Sequence, residues 1–279
     1  MEKRLRAVII DDELKSREVL GTIIDQFIDG IEIRIIPDEA SILAALRAET
    51  VDFALLNDPL IATLLVDDAN IVLNRTPTLS YNVLQLRAAV EPLDQLEVRQ
   101  AISCAIDRQQ VVDTAALGEG QVTGPLTMAS FALPTEDLFC YEQDIDRALE
   151  LMSEAGFADG FTLDVILANA EPPVATSIAQ NLQSQLAAIN VEINIESLEF
   201  GAYVDRWLAG DFMAAVALNG GRTDPYTMYS RYWQDDARFQ PTAGYIDETL
   251  DSLMAAGQIE TDPEARYEIF SEFQQVLLL

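Results

Sequence analysis

At 279 residues the chain can bury a full core, as one large domain or two smaller ones, and 49% hydrophobic with 8% aromatic content excludes wholesale disorder. Its 47 acidic against 17 basic residues give a net charge of −30 with no histidine, which argues against nucleic acid and anionic membranes as partners and removes the usual general base and commonest metal ligand. No apolar run reaches the roughly 18 residues of a membrane span, so no membrane insertion is expected. The opening MEKRLRAVIIDDE lacks a signal-peptide core, so the expected location of the chain as written is cytoplasmic.

In chain order, Leu5–Asp11 is a short apolar run ending in acids, as a buried parallel strand reads. Glu13–Ile28 follows with apolar residues at helical spacing, closed by Asp29-Gly30. Ile31–Ile36 reads as a strand, Ser41–Ala48 as a helix and Val51–Leu56 as a third strand. Such alternation predicts a flavodoxin-like βαβαβ portion with a parallel sheet. The stretch LRAVIIDDELKSREVL resembles the first strand and helix of a response-regulator receiver domain. By that resemblance Asp11 and Asp12 match an acid pair that binds magnesium. The phosphoacceptor position, however, holds Asn57, with Asp58 one residue later, so the phosphotransfer chemistry is not expected. The receiver resemblance ends near residue 30, and both lysines, Lys3 and Lys15, precede that point. A chimera is expected, with a different parent for the opening segment.

The stretches IEIRIIPDEASILAALRAETVDFALLNDPL and IVLNRTP, and above all PLDQLEVRQAISCAIDRQQVV, resemble the oligopeptide-type (family 5) solute-binding proteins of ABC importers. The last stretch looks like that family's signature helix. Its apolar residues at 98, 101, 102, 105, 106 and 112 predict one amphipathic helix with a buried stripe. Cys104 lies in that stripe and reads as a small buried hydrophobe. With Cys140 as the only other cysteine, no disulfide framework or zinc spacing is expected. Upstream, Leu79–Leu86 reads as a strand, with Tyr81-Asn82 where the family has a similar pair.

GEGQVTGPLTMASFALP is a Gly/Pro-punctuated loop, Tyr141–Gly156 a helix, and EAGFADGF resembles a family turn. Alternating units then follow: strand Thr162–Leu167, helix Val174–Ala188, strand Val191–Ser197, helix Gly201–Ala209 and strand Phe212–Leu218. Helices at Ile246–Ala256 and Pro263–Leu279 close the chain. The expected fold is α/β: periplasmic-binding-protein-like lobes, with parallel or mixed sheets flanked by helices. Residues 1–78 are expected to form a partial first lobe, receiver-like over 1–30 and family-like over 31–78. Residues 79–279 are expected to form the second lobe, truncated at its C-terminus.

The candidate site follows the last strand of the alternation, where α/β folds place ligands. It comprises Asn219, Gly221, Arg222, Asp224, Tyr226 and Trp233, joined by Tyr81 and Asn82. Arg222 could hold a carboxylate through two hydrogen bonds. A structural alternative is a helix capped by Thr223 or Asp224, with the tyrosines filling the core. Peptide-binding members of the family carry an aspartate where Gly221 stands here, so the resemblance implies a solute other than a free peptide N-terminus. The acid pairs Asp67-Asp68 and Asp235-Asp236 read as solvated faces, and Gly118-Glu119-Gly120 lacks a following Gly-Lys-Ser/Thr. Ser41, Ser103 and Ser130 have no histidine to activate them. The expectation is a non-enzyme with no cofactor and no metal site. It would be the solute-binding component of an ABC import system, working as a monomer with an ABC permease, and truncated or chimeric with weak or no binding. Phosphorylation-dependent signalling is the alternative.

Overall fold

The computed structural model describes residues 5–9, 31–36, 38–169, 172–234, 237–245 and 247–278. Its contacts divide the chain into two units, Met1–Thr76 and Pro77–Leu279. In the first unit, β1 (Leu5–Ile9) and β2 (Ile31–Ile35) pair in parallel, with Leu5 opposite Ile31. The helix expected over Glu13–Ile28, and with it Asp11 and Asp12, lies outside the described residues.

Helix α1 (Glu39–Arg47) starts where Asp38 accepts from the Ser41 backbone N–H at 2.8 Å. Helix α2 (Pro59–Thr63) follows, capped in the same way by Asp58. The strand expected over Val51–Leu56 does not form, and only Phe53 makes an isolated bridge. Val51, Ala54 and Leu56 pack on Ile42 of α1, while Phe53 and Leu55 are 60% and 68% exposed. A parallel strand needs cover on both faces, and here the segment is covered on one. The chain is instead held at its end, where Glu39 accepts from the backbone N–H groups of Asn57 and Asp58 at 2.8 and 2.9 Å.

The second unit is built on a mixed four-stranded sheet of β3 (Tyr81–Leu86), β4 (Phe161–Ala168), β5 (Val191–Leu198) and β6 (Ala214–Asn219), in the order β3-β6-β4-β5. β4 runs parallel to both β5 and β6, whereas β3 runs antiparallel to β6. Alternation along β4 sends Leu163, Val165 and Leu167 to one face and Ile166 and Ala168 to the other, and both faces are buried.

The first face meets α3 (Leu96–Ala105), α5 (Ile145–Glu154) and α6 (Ala175–Leu186) through Val98, Ile102, Leu151, Met152, Ile178 and Leu182. The second is covered by Tyr203 of α7 (Phe200–Ala209) and by Phe212. Buried continuous strands alternating with helices are the predicted α/β architecture, and the structure has it. Gly160 closes the turn before β4 at φ 78°, where a Cβ would come within 1.8 Å of the Asn190 carbonyl oxygen.

Two sequence expectations are corrected here. The signature segment is two helices, α3 and α4 (Arg108–Ala115), rather than one over 98–112. Asp107 is extended, and its carboxylate accepts from the Gln110 N–H at 2.9 Å, which starts a new helix. The carbonyl of Cys104 is meanwhile taken by the Asp144 N–H at 2.8 Å, and that of Ala105 by the Gln143 amide at 2.9 Å. Cys104 is fully buried as expected, but not as a free thiol: it forms a disulfide with Cys140, 36 residues on. The end of α3 and the loop before α5 lie side by side there, with a Cα separation of 4.6 Å. Spacing alone carried no sign of that approach.

The chain continues through α8 (Pro225–Trp233), α9 (Gln240–Ala243), α10 (Glu248–Ile259) and α11 (Pro263–Leu278). Asp262 accepts from the Glu264 and Ala265 N–H groups, so the Thr-Asp-Pro start of α11 works as expected. Met228, Tyr229, Leu250, Met254, Phe270 and Phe273 join α8, α10 and α11 into a separate apolar cluster.

Candidate functional site

The chain runs β4, β5, β6, yet β5 and β6 lie on opposite sides of β4. Connections leaving β4 and β6 therefore diverge at their carboxyl ends, the position where open α/β sheets form a ligand crevice. The segment leaving β6 is Asn219-Gly220-Gly221-Arg222. Antiparallel pairing brings the start of β3 to the same edge, with Tyr81 opposite Asn219.

Gly221 passes directly over the chain entering β3. Its N–H donates to Ser80 Oγ at 3.3 Å, and a Cβ there would come within 2.1 Å of the Leu79 carbonyl oxygen. The same oxygen accepts from Thr127 Oγ1 at 2.6 Å. Only glycine fits this crossing.

Beneath the loop is a hydrogen-bonded file of side chains. Asn219 Nδ2 donates to the Tyr81 hydroxyl at 2.9 Å, and the Tyr81 and Tyr229 hydroxyls are 2.8 Å apart. The one hydroxyl hydrogen of Tyr229 is donated in a hydrogen bond to the Pro125 carbonyl, so the Tyr81 hydroxyl is the donor to Tyr229. Arg231 Nη2 holds the other end, donating to Asn219 Oδ1 and the Gly220 carbonyl, both at 2.9 Å. Burial pushes the Tyr81 hydroxyl up to about 12 and that of Tyr229 well above the usual phenol range.

Both phenols are held neutral in the folded state, which binds their protons more tightly than an unfolded chain whose tyrosines titrate near 10. Stability is therefore expected to be unaffected by these groups below pH 10 and to fall as pH rises through about 12. Absorbance titration near 295 nm alongside circular dichroism reads this. Ionisation of all tyrosines at the ordinary value with the fold intact would contradict the burial.

The remaining candidates divide. Arg222 is exposed at the loop tip, and no hydrogen bond or ion pair among the described residues uses it. Asp224 has both oxygens committed: Oδ1 caps α8 at the Thr227 N–H, 3.0 Å away, and Oδ2 pairs with Arg266 at 2.6 Å. The structural alternative raised for Asp224 is the one observed. Arg266 also donates to the Gly257 carbonyl at 2.8 Å and lies over the rings of Phe131 and Phe270, beside an open cleft of about 470 Å³.

Tyr226 reaches Gln234 at 3.2 Å and packs on the α8–α11 cluster, as does Trp233. Trp233 stacks edge-on against Tyr245, and its indole N–H is buried without a hydrogen-bond partner among the described residues. Asn82 is exposed beside Leu218, on the opposite face of β3 from Tyr81, because neighbouring strand residues alternate. The structure thus brings Tyr81, Asn219, Gly221 and Arg222 to one edge and leaves Asn82 off it.

Asp68 pairs with Arg47 at 3.4 Å, Asp235 and Asp236 lie outside the described residues, and no group of three metal-ligating side chains occurs among the described residues. Tyr229 and Arg231 stand in the stretch that follows the candidate loop, whereas Ser80 and Thr127 were not among the candidate residues. Each of these two enters through a contact over many residues of sequence, which local spacing does not carry.

The family model of bacterial extracellular solute-binding proteins, family 5 (middle region), matches residues 25–240. A di/tripeptide-binding protein of Pseudomonas aeruginosa is 28% identical over 261 residues, covering 91% of this chain and 48% of the relative. A glutathione-binding protein of Salmonella typhimurium is 25% identical over 268 residues, covering 90% and 50%. Among solved structures, the ABC transporter substrate-binding protein CtaP of Listeria monocytogenes superposes with a TM-score of 0.78 at 24% identity, over 91% of this chain and 54% of that one. The chain spans about half the length of the curated relatives it matches.

Proposed function

The chain belongs to the bacterial extracellular solute-binding proteins of family 5, and from that premise we propose that it is a solute-binding component of an ABC import system. The family consists of binding proteins, not enzymes. The unit Pro77–Leu279 is read as its second lobe, and the earlier unit as part of the first. The opening residues fall before the family match begins at residue 25, which is compatible with a graft of other parentage. The receiver-type alternative draws no support from the described residues.

The solute is a small polar or anionic molecule, peptide-like in size, held against Asn219–Arg222. The observation that carries this is the exposed Arg222 guanidinium on a loop whose backbone is pinned by Ser80 and Arg231. A guanidinium on a fixed loop grips a carboxylate through two parallel bonds. No carboxylate stands at 221 to pair with an amine, and Asp224 is occupied by Arg266. Contacts from this unit alone cover one side of a ligand, which leaves it partly solvated and its binding weak. The Cys104–Cys140 disulfide suits an oxidising compartment, in keeping with an extracytoplasmic family. No helix among the described residues is long and apolar enough to cross a membrane. The protein would act as a monomer and hand its solute to a permease.

Mass spectrometry of natively purified protein identifies the retained solute, and calorimetry measures its affinity. Arg222→Ala should weaken binding about ten- to a hundredfold, the usual contribution of charge-assisted hydrogen bonds. Arg222→Lys should recover part of the loss. Equal affinity in Arg222→Ala would move the site elsewhere.

A further inference from the structure

The Cys104–Cys140 disulfide lies at one end of a continuous run of contacts that ends on the binding loop. Arg108, the first residue of α4, is a half-buried cation without a carboxylate partner among the described residues. Its charge is met by carbonyls instead: Nη1 donates to Cys140 and Tyr141 at 3.1 and 3.0 Å and more weakly to Ser103 and Ile106, while Nη2 donates to Ser103 Oγ at 2.8 Å. The carbonyls at the end of α3 are the negative pole of that helix, which favours a cation there. The guanidinium also lies 4.1 Å above the Tyr141 ring. The disulfide and Arg108 together therefore fix the Cys140–Tyr141 backbone and the plane of the Tyr141 ring.

Tyr141 passes that position on. Its hydroxyl donates to the Thr123 carbonyl at 2.9 Å. Two residues later the Pro125 carbonyl accepts from Tyr229, which accepts from Tyr81, which accepts from Asn219. Apart from one turn of 3₁₀ helix at Thr135–Asp137, residues 116–144 contain no helix or strand. The position of Thr123–Pro125 thus depends on attachments such as Tyr141, rather than on a backbone ladder.

We propose that the disulfide and Tyr141 are positioning elements for the solute site. They hold Thr123–Pro125 so that the file Tyr229–Tyr81–Asn219 sets the shape of the loop carrying Arg222. Opening the disulfide releases Tyr141 and Thr123–Pro125, withdraws the acceptor from Tyr229 and loosens Asn219–Arg222. This rests on the reading of Asn219–Arg222 as the solute loop, but its readout requires no solute.

Hydrogen exchange followed by mass spectrometry on the full chain measures the loop amides at 219–223. Tyr141→Phe removes one hydroxyl and leaves the ring, so the fold persists; loop exchange should accelerate about fivefold, the worth of one hydrogen bond. Tyr229→Phe should do the same, and the double variant should exchange no faster than the faster single variant, because both break one file. Dithiothreitol should speed loop exchange in the parent chain and add nothing in Tyr141→Phe. Strand β5 should be unchanged in the two tyrosine variants. Parental loop exchange in Tyr141→Phe would overturn the proposal, as would additive effects in the double variant. If no solute is retained, the solute reading fails while these exchange rates still decide the coupling.

Discussion

Breaking the Cys104–Cys140 disulfide should lower the stability of the Pro77–Leu279 unit by about 4 kcal/mol. The bond closes a segment of 36 residues, and opening a loop of that length returns roughly this much chain entropy to the unfolded state. The segment is rich in turn and loop and poor in its own ladders, so besides the disulfide it is held by side-chain attachments rather than by backbone pairing. For a unit of this size the thermal midpoint should fall by about 8–16 °C. Denaturant unfolding with and without dithiothreitol, alongside Cys104→Ala/Cys140→Ala, measures the change. The double variant separates cross-linking from any other action of the reductant. An unchanged midpoint in that variant would mean that the loop is held by its packing alone, through Arg108 and Tyr141.

The second large effect concerns Gly221, where the loop crosses the chain entering β3. Gly221→Asp would restore the aspartate that peptide-binding relatives are expected to carry, yet it should destroy the loop rather than create an amine site. A Cβ at 221 would stand 2.1 Å from the Leu79 carbonyl oxygen and 2.2 Å from its carbon. Both are backbone atoms, so no side-chain rotation relieves the overlap. Strain of this kind costs about 3 kcal/mol, and a carboxylate beside a carbonyl oxygen adds repulsion. The loop would have to leave Ser80, taking Arg222 with it. Affinity for the solute identified by native mass spectrometry should then fall further than in Arg222→Ala. A Gly221→Asp chain that folds with parental stability and gains affinity for dipeptides would refute this account.

Much of the fold was legible in the sequence, because its determinants are local. Helix caps such as Asp262 before Pro263, and the apolar runs of β4 and β5, express within a few residues what they will become. The strand expected over Val51–Leu56 failed because an apolar run shows only that a segment could be buried. Whether a second layer arrives to cover it is decided elsewhere in the chain. The signature helix failed at Asp107 for a related reason: its stripe is continuous in sequence, but a cap and two carbonyl acceptors redirect the backbone.

The candidate site shows the same division. A loop at the carboxyl end of the last strand, with Arg222 at its tip, follows from strand order and turn chemistry. The role of Asp224 as a cap was readable as an alternative, whereas its ion pair with Arg266 joins residues 42 apart and was not. Likewise the sequence placed Tyr81 and Asn82 together, and strand alternation with the partner β6 separated them.

By itself the sequence determined the α/β class and the alternation of strands and helices from β4 to β6, since periodicity and caps act over one or two turns, and its motifs carried the family resemblance. The tertiary structure alone decided that Cys104 meets Cys140, that the Tyr81 hydroxyl donates to that of Tyr229, and that Gly221 must remain glycine. Each of these depends on two distant segments arriving within a few ångströms, and that proximity is a property of the packed chain.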